Sequence, residues 1–340
     1  MLKSLSLPLA LAAAPALAEV PSVAVDIAPL HGLVARVMDG VGTPELIVPA
    51  GASPHDFALR PSQARALQSA DLVVWAGPAL APWLDRTLDT LSSEAVIDVN
   101  AYPETRLLKW RESFGDGHDH GHADEMAHAD HDHGEDDHAE HDGHANHDDH
   151  AEEDAHTGHG HAGHDHGDSA YDPHSWLDPA NAKAWSRLIA ETLAERDPEN
   201  AERYRANASE ALAEIDAASA AAEALLAPVR DHKFLVFHDA YHYFEEHFDL
   251  HAAGAVSLGD AAAPGPARVR ALQAQVAAEG ITCLFAEPQF DSGLIDTLAE
   301  GTGARIATLD PLGSGLETGP GFYPALITGM AKAMADCLKG

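Results

Sequence analysis

From His118 to Asp168 the chain reads HDHGHADEMAHADHDHGEDDHAEHDGHANHDDHAEEDAHTGHGHAGHDHGD, almost wholly His, Asp, Glu, Gly and Ala. Sixteen of the 24 histidines lie there, and no apolar side chain in the stretch is larger than Met126. Such a segment has nothing to bury and cannot offset the entropy of ordering its backbone, so no core element runs through it and a mobile loop is expected. Imidazole is the commonest side-chain ligand for zinc, copper and nickel, and a His-rich tract reads as metal-binding by composition. The chain then changes character at Tyr171-Asp172-Pro173-His174-Ser175-Trp176-Leu177-Asp178-Pro179. A lone histidine between two prolines and beside a tryptophan belongs to ordered structure. The expectation is a flexible metal-collecting loop, spanning 115–168, beside a rigid metal site that includes His174.

With 340 residues the chain is long enough for two domains with cores of their own. Its formal charge of −35 argues against nucleic acid or an anionic membrane surface as partner, since both require a basic face. Acid and histidine together make a metal cation the first hypothesis. The N-terminus MLKSLSLPLALAAAPALA has one lysine, a short apolar run and Ala16-Leu17-Ala18 as a small-x-small cleavage site. That pattern is a secretory signal over residues 1–18, too short to span a bilayer, so the mature chain is expected to begin at Glu19 outside the cytoplasm. The two cysteines, Cys283 and Cys337, read in an exported protein as a disulfide rather than as a metal pair.

Downstream of the signal, short β-branched runs alternate with helical patterns. Ser22–Ile27, Glu45–Val48, Asp71–Trp75 and Ala95–Val99 read as strands, with helices over Pro29–Met38, from Pro61, and over Ala81–Leu91. That alternation implies a parallel sheet with helices on its faces. After a helix over Asn181–Glu195, Asp197-Pro198 opens a long helical pattern that runs to Pro228. Tyr204, Ala208, Leu212, Ile215, Ala218, Ala222 and Leu225 mark a narrow apolar stripe along it. About 30 residues make a rod of roughly 45 Å, which suits a beam between two lobes; sustained heptads, the mark of a coiled-coil arm, are missing. The second half repeats the first, with strands at Lys233–Phe237, Ala252–Val256, Ile281–Ala286 and Arg305–Leu309 and a closing helix over Gly321–Leu338. The fold class expected is α/β: two parallel-sheet lobes bridged by one long helix, with a metal site in the cleft. The domains are a lobe over 19–197, the linking helix over 198–228 and a lobe over 229–340.

Ligands of open parallel sheets bind at the carboxyl ends of the strands. His55 follows one strand by a short loop, His238 and Asp310 end two others, and His174 lies in the Pro-bounded loop leaving the first lobe. Three imidazoles plus a carboxylate or water suit four-coordinate Zn²⁺, whereas an oxygen-rich set would suit Mn²⁺ or Mg²⁺. The bland readings are that His55 caps a loop backbone group and that His242, His247 and His251 are surface residues of an amphipathic helix. His238 and His242 also form an i, i+4 pair, but the metalloprotease form of that spacing needs Glu where Asp239 stands. His31 is expected to be structural or to support the site from behind. Glu287, which also ends a strand at the cleft, is a candidate acceptor for a ligand imidazole, and Asp239 a second one.

The segments GASPHDFALRPSQARALQSADLVVWAGP, DPHSWLDP, FHDAYHYF, FAEPQFD and LDPLG resemble the metal-specific periplasmic binding proteins of ABC importers, most nearly their zinc-uptake (ZnuA-type) branch. The resemblance runs through essentially all of the mature chain. It implies that His55, His174 and His238 are metal ligands, with Asp310 or water in the fourth position. It also implies zinc, because related manganese binders tend to carry Glu where His238 stands, and a long His-rich insertion is typical of zinc members. The cysteines match a disulfide of some zinc members. One departure is Pro54, where some relatives have an acidic residue. The expected partners are Zn²⁺ and a membrane permease, with no nucleic acid, no membrane insertion and a monomeric chain. The rival readings are a zinc hydrolase, for which no nucleophile or substrate-pocket signature is present, and a metal buffer or adhesin that works with no transporter.

Overall fold

A computed structural model of the chain describes residues 20–91, 95–111, 114, 171–257 and 264–340. The expectations for the signal over 1–18 and the His-rich loop over 115–168 lie outside the described residues.

The first lobe holds strands β1 (Val23–Val25), β2 (Glu45–Leu46), β3 (Leu72–Trp75) and β4 (Val96–Asp98), with helices α1 (Ala28–Val37), α2 (Pro61–Ser69) and α3 (Pro82–Leu91). Their spatial order is β2-β1-β3-β4, and every pairing is parallel. Helices α4 (Pro179–Arg196) and α5 (Ala201–Leu226) follow. The second lobe has β5 (Phe234–His238), α6 (His242–Phe248), β6 (Gly254–Ser257), α7 (Pro266–Glu279), β7 (Cys283–Ala286), α8 (Gly293–Ala299), β8 (Arg305–Thr308) and α9 (Phe322–Lys339). Its sheet has the order β6-β5-β7-β8, again parallel throughout. Helices cover both faces, so β1, β3, β5 and β7 are buried along their whole length, and this is why they read as unbroken apolar runs.

Four helices begin at or beside a proline the sequence offers, whereas α5 begins at Ala201, past the Asp197-Pro198 expected to open it. Pro occupies the first turn of α1, α2, α4 and α7, where a missing N–H costs nothing. Asp178 caps α4, its carboxylate accepting the Ala180 amide at 2.9 Å. Gly280 ends α7 in the left-handed conformation that Gly adopts without strain (φ 66°).

Helix α5 is the element both lobes share. Its 26 residues give a rod of about 39 Å. It packs against α1 and α4 of the first half and α9 of the second, and one continuous core joins all four. Its buried stripe runs through Tyr204, Asn207, Ala208, Ala211, Ile215, Ala218, Ala222 and Leu226. Leu212 and Leu225, expected on that stripe, are only half-buried, and Ala211 and Leu226 take their places. The alanines let neighbouring helices approach closely. Asn207 is buried for a polar reason: its amide donates to the Val37 and Asp39 carbonyls at 2.8 Å each, satisfying the C-terminal end of α1. Gly32 of α1 faces α9 so closely that a Cβ there would lie 2.8 Å from Phe322. Cys283 of β7 and Cys337 of α9 form a disulfide with Cα atoms 6.0 Å apart, closing a separation of 54 residues. Chain-entropy arithmetic makes that worth on the order of 4 kcal/mol.

Candidate metal site between the lobes

Three side chains meet where the carboxyl ends of the two sheets face each other. His55 stands on the loop after β2, His174 on the turn leading into α4, and His238 is the last residue of β5. One ligand atom from each lies within 4.8 Å of the other two. Nε2 of His174 is 3.3 Å from Nε2 of His55, and the His174 and His238 rings are 5.2 Å apart by centroid. His174 and His238 are buried, at 1% and 5% exposure, and His55 is half-buried.

Carboxylates fix the orientation of the two buried rings. Nδ1 of His174 is 2.7 Å from Oδ1 of Asp172, which also accepts the His174 amide at 2.9 Å. Nδ1 of His238 is 2.7 Å from Oε1 of Glu287, which accepts the His238 amide at 3.2 Å. In each case Nδ1–H donates to the carboxylate, leaving the Nε2 lone pair for the centre of the site. Complete burial pushes the Asp172 carboxyl up to about 7, against the pull of the His174 amide. Trp176 lies against His174 with ring centroids 5.2 Å apart, and Phe290 against His238 at 5.3 Å, so the pocket wall is apolar. The Trp176 indole donates to the Pro311 carbonyl at 2.9 Å, which joins the His174 turn to the second lobe.

Asp310, expected as a fourth ligand, is not brought into this group. Its Oδ1 accepts from Gln289 Nε2 (2.9 Å) and the amides of Leu312 and Gly313 (3.0 Å each). Its Oδ2 accepts the Ser314 amide and hydroxyl, both at 2.6 Å. The carboxylate builds the turn that follows β8, and both its oxygens are engaged by those donors. Asp239, expected behind a ligand, instead meets Arg111: its Oδ1 lies 2.6 Å from Nη2. Burial, together with Asp172 and Glu245 and against Arg111, raises the Asp239 carboxyl to about 7.

His242 stays outside the trio, with Nδ1 3.9 Å from Asp172 Oδ2, and burial lowers its pKa. His247, expected to be a surface residue, is half-buried and lies 3.0 Å from Asp178 Oδ1; His251 is exposed. His31 is structural: it is buried in α1 with Nε2 3.1 Å from the Pro44 carbonyl. Sequence reasoning missed Asp172 and Arg111. The first had a signal, since an Asp two residues before a ligand can accept the ligand's amide and its ring together. The second had none, because it sits at the edge of the low-complexity stretch.

Two parallel-sheet lobes joined through a long helix, with a buried cluster of oriented imidazoles in the cleft, define a two-lobed binding protein of the metal-capturing kind. The chain belongs to the ZnuA family: the family model described as zinc-uptake complex component A, periplasmic, matches residues 23–337. The high-affinity zinc uptake system protein ZnuA of Paracoccus denitrificans (strain Pd 1222) is 46% identical over 328 residues, covering 96% of this chain and 94% of the relative. The protein of the same description from Brucella suis biovar 1 (strain 1330) is 43% identical over 319 residues, covering 93% and 91%. Among solved structures, a crystal structure of ZnuA superimposes with a TM-score of 0.69 at 21% identity, covering 94% of this chain and 99% of that one. The binding protein FpvC of Pseudomonas aeruginosa in complex with Mn²⁺ superimposes with a TM-score of 0.70 at 19% identity, covering 94% and 99%. At those identities the two superpositions speak for the fold.

Proposed function

We propose that this chain is the periplasmic zinc-binding component of a zinc uptake system, and that His55, His174 and His238 ligate Zn²⁺ through Nε2. The observation that carries the ligand set is the spacing of the imidazoles. Zinc–nitrogen bonds of about 2.0–2.1 Å at tetrahedral angles put ligand nitrogens about 3.3–3.4 Å apart. The His55 and His174 Nε2 atoms are 3.3 Å apart. Water completes the tetrahedron, because both oxygens of Asp310 are held by the turn after β8. The buried carboxylates on the two Nδ1 atoms raise the basicity of the rings and balance part of the cation's charge.

Zinc is cargo here. The fold and family favour capture and release to a membrane permease of the ABC type over turnover of a substrate. The same reading takes residues 1–18 as the export signal and residues 115–168 as a collector of further ions, and treats the chain as a monomer. With one long helix packed against both lobes, release works through small lobe shifts and loop rearrangement rather than wide hinge opening. Competitive titration of the purified protein against a chelator tests the site. One tight Zn²⁺ with far weaker Mn²⁺ is expected, and equal or tighter Mn²⁺ binding would rule out the three-histidine site.

A further inference from the structure

The chain leaves the first lobe through residues 108–111 and returns through residues 171–174, and these two stretches run side by side. Lys109 and Tyr171 form an antiparallel bridge, and the Asp172 amide donates to the Leu108 carbonyl at 3.0 Å. Both stretches are tied to α6 of the second lobe by one hydroxyl. Tyr243 Oη accepts the Leu108 amide at 2.9 Å and donates to the Asp172 carbonyl at 2.8 Å.

Arg111 adds the stronger tie. Its Nη1 and Nη2 donate to the two oxygens of Glu245 at 3.0 and 2.8 Å. Its Nε donates to Oδ2 of Asp239 at 3.0 Å, and Nη2 lies 2.6 Å from Oδ1. The ring of Phe114 covers the guanidinium carbon at 4.5 Å. All three charged side chains are withdrawn from water, with exposures of 14% for Arg111, 9% for Asp239 and 3% for Glu245. Glu245 is pinned further by the Ala252 amide at 2.8 Å. One planar fork thus joins the stretch that pairs with the His174 turn, the residue next to His238, and α6. A buried ionic cluster adds little net stability over a well-packed apolar one. A guanidinium bidentate to Glu245 and hydrogen-bonded through Nε to Asp239 instead sets distance and orientation, which a Lys ammonium does not.

We propose that Arg111 is a positioning residue for metal capture: by clamping Asp239 and Glu245 to the stretch beside His174, it holds His174 and His238 at ligand separation before the ion arrives. The inference rests on the three-imidazole zinc site proposed above. It concerns two backbone segments from different lobes that no covalent link between them holds together.

Two variants test it. Arg111→Lys keeps the charge and loses the fork. Asp239→Ala removes one carboxylate and leaves Arg111 paired one-to-one with Glu245, so no uncompensated charge is created. The readouts are zinc affinity by chelator competition, the d–d absorption of the Co²⁺-loaded protein, and melting of the metal-free form. Loss of an orienting contact behind a metal ligand costs about 10–100-fold in affinity. Both variants are expected to fold, to bind zinc at least tenfold more weakly, and to show altered Co²⁺ bands as the tetrahedron is distorted. A variant with lowered metal-free Tm but wild-type zinc affinity and Co²⁺ spectrum would make Arg111 merely structural and overturn the proposal. Should Arg111→Lys fail to fold, Asp239→Ala decides alone by the same criteria. If the wild-type protein itself shows no tight zinc or Co²⁺ site, it is the three-imidazole reading that fails.

Discussion

Oδ1 of Asp172 lies 2.7 Å from Nδ1 of His174, and that single oxygen also takes the His174 amide. A residue two positions upstream thereby fixes both the backbone and the ring of a proposed ligand, and Glu287, the residue after the neighbouring strand β7, does the same for His238. Asp172→Asn and Glu287→Gln are each expected to weaken zinc binding about 10–100-fold while the protein stays folded, because an amide offers a weaker acceptor to Nδ1–H. Calorimetric competition measures this; affinities within twofold of wild type would remove the carboxylates from the mechanism.

Replacing any one of His55, His174 or His238 by Ala is expected to abolish the tight binding event. His242→Ala should leave it in place, because His242 stands apart from the trio. Stoichiometry and affinity on the four variants decide the matter. Loss of tight binding in His242→Ala alone would move the site to the helix face.

Asp310 separates stability from binding. Its carboxylate takes three backbone amides and two side-chain donors in the turn after β8. Asp310→Ala is expected to lower folding stability by about 1–3 kcal/mol, the cost of leaving such donors without an acceptor. Zinc affinity should fall less than in any of the three histidine variants, since water can fill a fourth position. Urea melts of the metal-free protein and chelator competition read the two effects separately.

Burial lowers the His31 pKa below its ordinary value, opposed by the Pro44 carbonyl. As pH falls below about 6.5 the unfolded chain takes up a proton that the folded chain refuses, so this residue's contribution to stability is lost on acidification. In His31→Gln the metal-free protein is expected to lose that dependence, a difference of at most about 1.4 kcal/mol per pH unit. Asp26 and Asp239, raised to about 7 chiefly by burial, act in the opposite sense: their favourable contribution is present at low pH and fades as pH rises toward 7. Their effect is common to both proteins and cancels in the comparison. Parallel pH profiles for the two proteins would show that His31 is not the group responsible.

Deletion of residues 115–168 removes sixteen histidines but none of the three imidazoles that meet in the cleft. The shortened protein is expected to bind about one zinc with nearly unchanged affinity and to capture it more slowly when zinc is scarce, because tethered weak ligands raise the local concentration beside the site. Calorimetry and stopped-flow mixing test it. Loss of the tight event would place a primary ligand within the deleted stretch.

The sequence by itself determined the elements. Central strands buried on both faces had to be unbroken apolar runs, and Pro marked the first turns of α1, α2 and α4, so both four-strand sheets, the long bridging helix and the closing helix were legible in order. The proposed imidazole ligands were named by the resemblance to zinc-uptake binding proteins, since position alone left His55 open to the bland reading of a loop cap. Tertiary structure decided which carboxylates serve them. Asp172, Glu287, Asp239 and Asp310 are alike as residues near a cleft, and only the donors that folding sets around each one separate them. Backbone amides hold Asp310, Arg111 holds Asp239, and the His174 and His238 rings hold Asp172 and Glu287. A carboxylate goes to the donor that long-range packing brings within 3 Å, and neither periodicity nor local spacing encodes that distance.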